Sequence, residues 1–255
     1  MTDIQKHKTM STLNEKVILI TGASRGIGAA IARRLAKAGA KVIVNYAGSK
    51  ETAEKLVGEI KAAGGNAIAL QSDVSQPDQV KNLFDASIAY YGRIDVLINN
   101  AGILFNTLIK DTTDEDFSRI FDINVKGTFN TMREAAIRLA DNGSVINFST
   151  SVNRLMLPTY GPYVATKAAV EQLSRVFSKE VGARGINVNI VSPGPTNTEL
   201  FTKGKSQEVI DRLASLSAFN RIGEPEDIAR VVEFLASDDA KWISAQNIGV
   251  NGGMS

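Results

Sequence analysis

The sequence predicts an α/β protein built on a doubly wound parallel β-sheet of about seven strands, with helices on both faces. Short apolar runs alternate with segments of helical periodicity along nearly the whole chain, and this alternation is typical of parallel sheets whose strands are joined by helices. The 255 residues are 44% hydrophobic, which is enough to bury one large core. No linker or composition change divides the chain, so we expect a single domain over residues 13–255 after a flexible leader at 1–12.

The apolar runs predict the strands in chain order. These runs read KVILI, KVIVNY, AIALQSDV, IDVLINNAG, SVINFSTS, INVNIVSPG and QNIGVNGG. A long helical stretch separates the fourth run from the fifth, and residues 199–224 form a polar and helical insertion after the sixth. In a doubly wound sheet the ligand lies at the carboxyl ends of the strands, where the strand order reverses. The residues that directly follow the strands are therefore the candidates for function.

The composition argues against several kinds of site. Lysine plus arginine (29) nearly balance aspartate plus glutamate (27), and no basic block predicts a nucleic-acid partner. The chain has no cysteine and one histidine, His7, in the leader, so we expect no disulfide, thiolate nucleophile or metal site. No apolar segment approaches the ~20 residues that span a membrane, and the first residues lack a secretory signal. We expect a cytoplasmic protein.

The segment TGASRGIG follows the first predicted strand and opens a helix. Gly22, Gly26 and Gly28 permit a tight turn and close backbone approach, and the free N–H groups of the helix start can bind a pyrophosphate. A second apolar run follows the helix, which completes a βαβ unit of about thirty residues. The pattern predicts a dinucleotide site of the Rossmann type.

A second motif, PYVATKAAV, places Tyr163 and Lys167 four residues apart. Side chains at i and i+4 share one helix face, so the phenol and the ammonium can meet beside one substrate. Pro162 suits the first turn of this helix. A nearby cation stabilises a phenolate, which would make the tyrosine a better acid.

Together with the glycine turn, this motif resembles the short-chain dehydrogenase/reductase family, whose turn reads TGxxxGxG and whose catalytic helix carries YxxxK. Further family-like pieces occur in order: NNAG at 99–102, Asn124 in INVKG and PGPTNT at 193–198. The resemblance runs from about residue 13 to 253. It looks closest to the branch often named 3-oxoacyl-carrier-protein reductase, and it implies reduction of a carbonyl to a secondary alcohol.

The resemblance also implies which residues hold a nicotinamide nucleotide. The expected contacts lie in the glycine turn, at the second strand end, beside the adenine, along the ribose and near the nicotinamide. The residues are Gly22, Ser24, Arg25, Gly26, Ile27, Gly28, Asn45, Tyr46, Ser49, Asp73, Val74, Asn100, Ala101, Gly102, Tyr163, Lys167, Pro193, Gly194, Thr196 and Thr198.

The expected cofactor is NADP(H). An NAD site usually has an acidic residue about twenty residues past the glycines, but the second strand here ends in Asn45-Tyr46. The family associates a basic residue in the glycine loop with the 2′-phosphate of NADP, and Arg25 has that position. A guanidinium binds phosphate through charge-assisted hydrogen bonds.

For catalysis, the resemblance implies that Tyr163 donates a proton, with a pKa lowered by Lys167 and by the positive nicotinamide. Lys167 would also hold the nicotinamide ribose, and Asn124 would link it to a water relay. The family usually has a serine 13 residues before the tyrosine. Here that position is Thr150, with Ser151 next to it as the alternative.

The substrate stays open at this point. Carrier-docking members resemble each other in having an arginine before the fifth strand and another before the sixth, whereas this chain has Asp141 and Arg184. A reversed charge would repel an acidic carrier. A free ketone, a sugar or another thioester remain alternatives, as do oxidation of a polyol and a non-catalytic dinucleotide-sensing regulator.

Two further expectations rest on the family. Its members commonly form tetramers through the long helices near Asn124 and Tyr163 and through the last strand, so we expect a homotetramer. They use the region equivalent to 199–224 as a mobile lid over the substrate. We expect Trp242 to be a packing residue rather than a substrate contact.

Overall fold

The computed structural model describes residues 13–255, so the predicted leader and His7 lie outside the described residues. The strands are β1 (Val17–Ile20), β2 (Lys41–Tyr46), β3 (Asn66–Gln71), β4 (Val96–Asn99), β5 (Ser144–Phe148), β6 (Asn187–Pro193) and β7 (Asn247–Val250). The helices are α1 (Gly26–Lys37), α2 (Lys50–Ala62), α3 (Pro77–Tyr91), α4 (Asp114–Phe121), α5 (Gly127–Arg138), α6 (Val152–Leu155), α7 (Gly161–Glu180), α8 (Glu199–Thr202), α9 (Gln207–Ala214) and α10 (Pro225–Ala236). A π-helical turn, Asp122–Lys126, joins α4 to α5.

The seven strands form one sheet in the order β3-β2-β1-β4-β5-β6-β7. Every neighbouring pair is parallel. At the centre, Leu19 of β1 lies between Ile43 of β2 and Leu97 of β4. The prediction of a doubly wound parallel sheet is confirmed.

Two apolar layers cover the two faces of the sheet, because successive strand residues point to opposite sides. Leu19 packs in the layer that contains Phe84 of α3 and Phe177 of α7. Its neighbour Ile20 packs in the other layer, with Leu35 of α1. Helices on both faces leave the strand ends as the accessible part of the sheet.

Strand order reverses between β1 and β4, and Thr21 ties the two strand ends together there. Its Oγ1 accepts hydrogen bonds from the backbone N–H groups of Asn100 (3.1 Å) and Ala101 (3.0 Å). The side-chain amide of Asn100 donates back to the carbonyl oxygens of Thr21 and Gly22, both at 3.0 Å. The two loops that flank the crevice are thereby held in one arrangement.

The insertion at 199–224 contains α8 and α9, each begun by a side-chain cap. The hydroxyl of Thr198 accepts from the N–H of Phe201 at 3.3 Å, and that of Ser206 accepts from the N–H of Val209 at 3.4 Å. Such caps satisfy otherwise unpaired N–H groups at the helix start. Leu213 of α9 is buried, so this segment is folded onto the domain.

Trp242 does not pack in the interior, so that expectation is wrong. Its side chain is fully exposed, whereas the nearby Ala240 is fully buried. The chain turns at Asp238–Ala240, and this turn brings the alanine inward and leaves the indole outside. In the part of the chain that the structure describes, no helix is long and apolar enough to cross a bilayer.

Candidate active site

The glycine turn lies at the reversal point of the sheet, where two of its glycines leave no room for a side chain. Gly22 has φ +60°, and a Cβ there would lie 2.8 Å from Cα of Ala101. A Cβ on Gly28 would lie 2.6 Å from Nδ2 of Asn100. Helix α1 begins at Gly26 without a side-chain cap. A bare backbone turn before an uncapped helix N-terminus fits a phosphate group, so the residues present suit a dinucleotide.

Asn45, near the end of β2, supports the glycine turn through a hydrogen bond. Asn45 is almost fully buried; its Oδ1 accepts from the N–H of Gly22 (3.3 Å), and its Nδ2 donates to the carbonyl oxygen of Ser72 (3.1 Å). Tyr46 is packed in the core layer that contains Leu35. Both residues were expected to contact nucleotide. Their side chains have protein partners in the structure, and the nucleotide contact stays a prediction.

The residues after β3 form a tight turn at the same edge of the sheet. Oδ1 of Asp73 accepts from the N–H of Ser75 (2.9 Å) and from its hydroxyl (2.8 Å). Val74 is buried against α5, where a Cβ on Gly127 would lie 2.6 Å from its Cγ2. Asp73 and Val74 therefore lie together beside the crevice.

Arg25 and Ser49 lie at the outer rim of the glycine turn. Arg25 is exposed, and its guanidinium lies 3.5 Å from the carboxylate of Glu199 at the start of α8. Ser49 precedes α2 without capping it through its side chain. Ser24 and Ile27 are partly exposed, and Ile27 lines the adjoining cavity.

Gly102 lies directly against Asn124 and Lys167. A Cβ there would lie 3.2 Å from Oδ1 of Asn124 and 3.5 Å from Nζ of Lys167. The strip after β4 therefore passes directly against both side chains. Two groups of residues that are far apart in the sequence meet here.

Asn124 lies in the π-helical turn and is completely buried. Its Oδ1 accepts from the N–H of Ile103 (2.9 Å), and its Nδ2 donates to the carbonyl oxygen of Ile103 (3.0 Å) and to Oγ1 of Thr166 (3.1 Å). The hydroxyl of Thr166 donates to the carbonyl oxygen of Tyr163 (2.6 Å). Asn124 thus clamps the strip after β4 to helix α7.

Helix α7 carries Tyr163 and Lys167 on the face toward the cavity. The hydroxyl of Thr150, just after β5, lies beside the phenol of Tyr163 and lowers its pKa. Nζ of Lys167 donates to the carbonyl oxygen of Phe148 at 2.9 Å and lies 5.9 Å from the centre of the Tyr163 ring. All three side chains line the same cavity.

The electrostatics of this pair differ from the sequence-based expectation. Burial raises the pKa of Tyr163 to about 12, against a smaller lowering by the hydrogen bond with Thr150. Burial also lowers the pKa of Lys167 to about 8. The lowering of the Tyr163 pKa that was expected from Lys167 is therefore not found in the protein alone. Loss of water around the phenol raises this pKa instead.

The structure separates the two candidates for the third hydroxyl. Thr150 lies with Tyr163. The hydroxyl of Ser151 instead donates to the carbonyl oxygen of Ser192 (3.1 Å) and accepts from Nδ2 of Asn251 (2.9 Å). These contacts hold Ser151 against the neighbouring strand ends and away from the phenol.

Sequence reasoning missed Glu171. Its Oε1 accepts from the hydroxyl of Ser149 (2.6 Å) and from Nδ2 of Asn153 (2.7 Å). These two residues flank Thr150, so one carboxylate on α7 holds the turn that presents this hydroxyl. The spacing of residues 163, 167 and 171 was the available signal, because steps of four place side chains on one helix face.

The end of β6 forms the remaining wall of the crevice. Gly194 passes close to Asn251, where a Cβ would lie 2.9 Å from that of Asn251. Oγ1 of Thr196 donates to the carbonyl oxygen of Gly194 at 2.9 Å. Pro193, Thr196 and Thr198 line the cavity. Among the described residues, no group of three or more histidine, cysteine, aspartate or glutamate side chains is placed to hold a metal ion.

The cavity beside Tyr163 has a volume of about 150 Å³. Residues of α8 and α9, including Leu200 and Leu213, form one wall of it. The insertion therefore borders the space in front of Thr150, Tyr163 and Lys167.

Comparison with known proteins identifies similar chains over nearly the full length. A family model described as enoyl-(acyl carrier protein) reductase matches residues 22–255. An uncharacterized oxidoreductase of Methylorubrum extorquens is 46% identical over 96% of this chain and 100% of its own length. Versicolorin reductase of Emericella nidulans is 43% identical, covering 94% of this chain and 96% of the relative. A short chain dehydrogenase from Burkholderia cenocepacia, solved in complex with NADP, superposes with TM-score 0.90 at 33% identity, covering 95% and 99%.

Proposed function

The chain belongs to the short-chain dehydrogenase/reductase family of oxidoreductases, and we propose that it is an NADPH-dependent reductase that converts a carbonyl group to a secondary alcohol. One observation carries the proposal: Thr150, Tyr163 and Lys167 line one cavity that adjoins the glycine turn. The relative named versicolorin reductase supports the direction of the reaction.

The nucleotide-binding role belongs to the residues around the glycine turn. Gly22, Gly26 and Gly28 with the start of α1 would hold the pyrophosphate, and the residues after β3, β4 and β6 would line the rest. The exposed guanidinium of Arg25 would pair with the 2′-phosphate, for which it would have to leave Glu199. The solved neighbour in complex with NADP supports this choice of nucleotide. The bound nucleotide supplies the hydride to the carbonyl carbon.

In the proposed mechanism, Tyr163 donates its proton to the carbonyl oxygen. Its high pKa keeps the phenol protonated near neutral pH, so the proton is available at the start of a reduction. Thr150 would hydrogen-bond the same carbonyl oxygen and orient it. Lys167 is mostly protonated below its pKa of about 8, and its charge would stabilise the phenolate that remains after donation. Solvent then returns a proton to the phenol.

Asn124 would act through position rather than by proton transfer. Both ends of its amide are bound to Ile103, and its Nδ2 also reaches Thr166. These bonds fix the distance between the strip after β4 and α7. The nucleotide side and the proton-donor side of the site are then held in register.

Two competing functions are oxidation of a polyol and regulation without catalysis. The first would use the same residues as reduction, and the second would use fewer of them. Oxidation of a polyol would use the same side chains with Tyr163 accepting the proton, and the relative named versicolorin reductase favours the reductive direction. A regulator without catalysis would have no need of Thr150, Tyr163 and Lys167 in one cavity. Reduction is therefore the function that we propose.

Delivery of the substrate by an acidic carrier protein is disfavoured by two residues. The guanidinium of Arg184 donates to Asp141 (2.8 Å) and to the carbonyl oxygen of Ala136 (2.8 Å). Arg184 is thereby committed to the end of α5 and paired with a carboxylate. We therefore propose a freely diffusing substrate.

We further propose that the chain forms a homotetramer through the helices beside the site. Phe129 and Ile137 of α5 and Val176 of α7 are large apolar side chains that are 45%, 75% and 59% exposed. Apolar side chains repeated on exposed helix faces favour helix packing between subunits. Size-exclusion chromatography with light scattering tests this assignment.

The proposal is tested by comparing Tyr163→Phe with Tyr160→Phe. Tyr160 lines the same cavity with its ring centre 6.3 Å from that of Tyr163, so it is a matched control. Loss of the proton donor should lower kcat by about 10²- to 10⁴-fold, measured by absorbance of the reduced nicotinamide, while NADPH binding persists. Retained turnover in Tyr163→Phe with any ketone that wild type reduces would refute the proposed mechanism.

A further inference from the structure

The cavity has a polar end and an apolar remainder. The polar end contains the hydroxyls of Thr150 and Tyr163, with Lys167 behind them, and the other polar side chains in the lining are uncharged: Asn100, Ser149, Tyr160, Thr196 and Thr198. Lys167 is the one charged side chain that lines the cavity within the described residues, and its Nζ is already bound to the carbonyl oxygen of Phe148. The wall thus presents no carboxylate or guanidinium to a substrate.

Six leucine and valine side chains line the remainder. They come from three places: the strip after β4, the α6 segment and the insertion. The side chains are Leu104, Val152, Leu155, Leu157, Leu200 and Leu213. None of them can pair with a hydroxyl, phosphate or carboxylate, so such groups on a substrate would lose their water without replacement.

Two aromatic rings complete the cavity and are held in place. The Tyr160 ring meets the Tyr163 ring edge-on, with centres 6.3 Å apart and planes 63° apart. The ring of Phe201 has Nζ of Lys205 4.7 Å from its centre, and the same ammonium donates to the Phe201 carbonyl oxygen at 2.6 Å. Rigid rings of this kind favour stacking or edge contacts with a ring-containing ligand.

We propose that the substrate is an uncharged ketone whose carbonyl group belongs to an apolar, fused-ring framework. This inference rests on the proposed carbonyl reduction and adds the class of molecule reduced. The carbonyl oxygen meets Thr150 and Tyr163, and the rings fill the apolar remainder between α6 and the insertion. The leucine and valine part of the wall disfavours sugars, polyols and thioesters of charged carriers, because it offers no partner to their polar groups.

Within the insertion, Leu200 contributes to the preference for an apolar substrate because its side chain lines the cavity. Leu200 is 56% exposed and lines the cavity, whereas Leu216 is 45% exposed in the same insertion and does not line it. Introducing a carboxylate at either position is compatible with folding, because both side chains reach solvent. The two leucines therefore offer a matched pair of variants.

The first experiment measures kcat/KM with NADPH for 2-tetralone, a carboxylate-bearing tetralone, cyclohexanone and a ketose. We expect 2-tetralone to exceed its carboxylated analogue by about a hundredfold and the ketose by more, since an unmatched polar group in an apolar site is strongly rejected. An equal or better rate with the carboxylated compound or the ketose would overturn the proposed substrate class. Reduction of none of the four ketones would count against the carbonyl-reductase function instead.

The second experiment compares Leu200→Asp with Leu216→Asp. We expect KM for 2-tetralone to rise about tenfold in Leu200→Asp, by the magnitude typical of one altered pocket contact, and to stay unchanged in Leu216→Asp. Calorimetric binding of 2-tetralone to Tyr163→Phe, alone and with Leu200→Asp added, gives the same comparison without turnover. Equal effects of the two substitutions, or none from Leu200→Asp, would refute the role of this wall.

Discussion

Substitution of Lys167 by methionine should stabilise the fold while abolishing its function. The side chain is 5% exposed, and its Nζ has one protein hydrogen bond, to the carbonyl oxygen of Phe148. Burial lowers its pKa from 10.5 to about 8, so the folded protein holds the charged form at a cost. Methionine has a similar length and carries no charge.

The magnitude can be worked out from the difference between these pKa values. A difference of about 2.5 units at about 1.36 kcal/mol per unit means that burial of the charged lysine costs about 3 kcal/mol near pH 7. Loss of the hydrogen bond to Phe148 removes about 1 kcal/mol of stabilisation. The net expectation is a gain of about 2 kcal/mol in the free energy of unfolding for Lys167→Met at pH 7.

The predicted effect of Lys167→Met on the free energy of unfolding changes with pH. Between pH 8 and 10.5 the unfolded chain binds more protons at this lysine than the folded protein does, so the wild type gains stability as pH rises through that window. Below pH 8 both states hold the proton and the full cost is present. The advantage of Lys167→Met should therefore shrink as pH rises and become a small loss near pH 10.5.

Urea unfolding followed by circular dichroism at pH 7 and pH 10, at one protein concentration, measures both quantities. Lys179→Met provides the control, because Lys179 is exposed on the same helix, and its effect should lie within about 0.5 kcal/mol. A Lys167→Met protein that is less stable than wild type by the same amount at both pH values would refute this reasoning.

Two further substitutions test the roles of individual side chains. Arg25→Ala should raise KM for NADPH by about tenfold or more and leave KM for NADH nearly unchanged, because only the former carries the 2′-phosphate; steady-state kinetics with each nucleotide measures this. Glu171→Ala should lower kcat by about tenfold with little change in KM for NADPH, since it frees the turn that presents Thr150, and a displacement of this size at a reacting group is costly. Glu171→Gln keeps an acceptor oxygen for Ser149 and should restore most of the activity.

Each of these has a contrary outcome. Equal increases in KM for both nucleotides would show that Arg25 does not read the phosphate. Equal losses in Glu171→Ala and Glu171→Gln would show that the carboxylate charge, rather than its hydrogen bonds to the turn, is what matters.

The doubly wound parallel sheet of about seven strands could be predicted because it depends on local patterns. Alternation of apolar runs with helices specifies a parallel sheet, and TGASRGIG specifies a tight turn and a helix start directly after the first strand. Contacts between distant segments could not be predicted in this way. The commitment of Asn45 to Gly22 and Ser72 depends on where β3 ends, which no spacing near residue 45 reveals.

Contacts between distant segments also explain two details of the site. One is the choice between Thr150 and Ser151, which the sequence left open, and the other is the pKa of Tyr163, which differs from the expectation. The choice between Thr150 and Ser151 depends on Ser192 and Asn251, which bind Ser151 from other strands. The sign of the Tyr163 pKa shift depends on how much water reaches the phenol. The spacing of a motif states which groups can meet, whereas their solvation depends on the whole surrounding fold.

The π-helical turn at Asp122–Lys126 makes the length of the chain around Asn124 unusually important. A regular α-helix rotates about 100° for each residue, so a one-residue deletion in this turn would swing Asn124 away from Ile103 while α4 and α5 could still form. In a shortened protein of this kind, the strip after β4 and helix α7 would lose the alignment that Asn124 gives them. Anyone transplanting this segment into another scaffold must therefore preserve its residue count as carefully as its side chains.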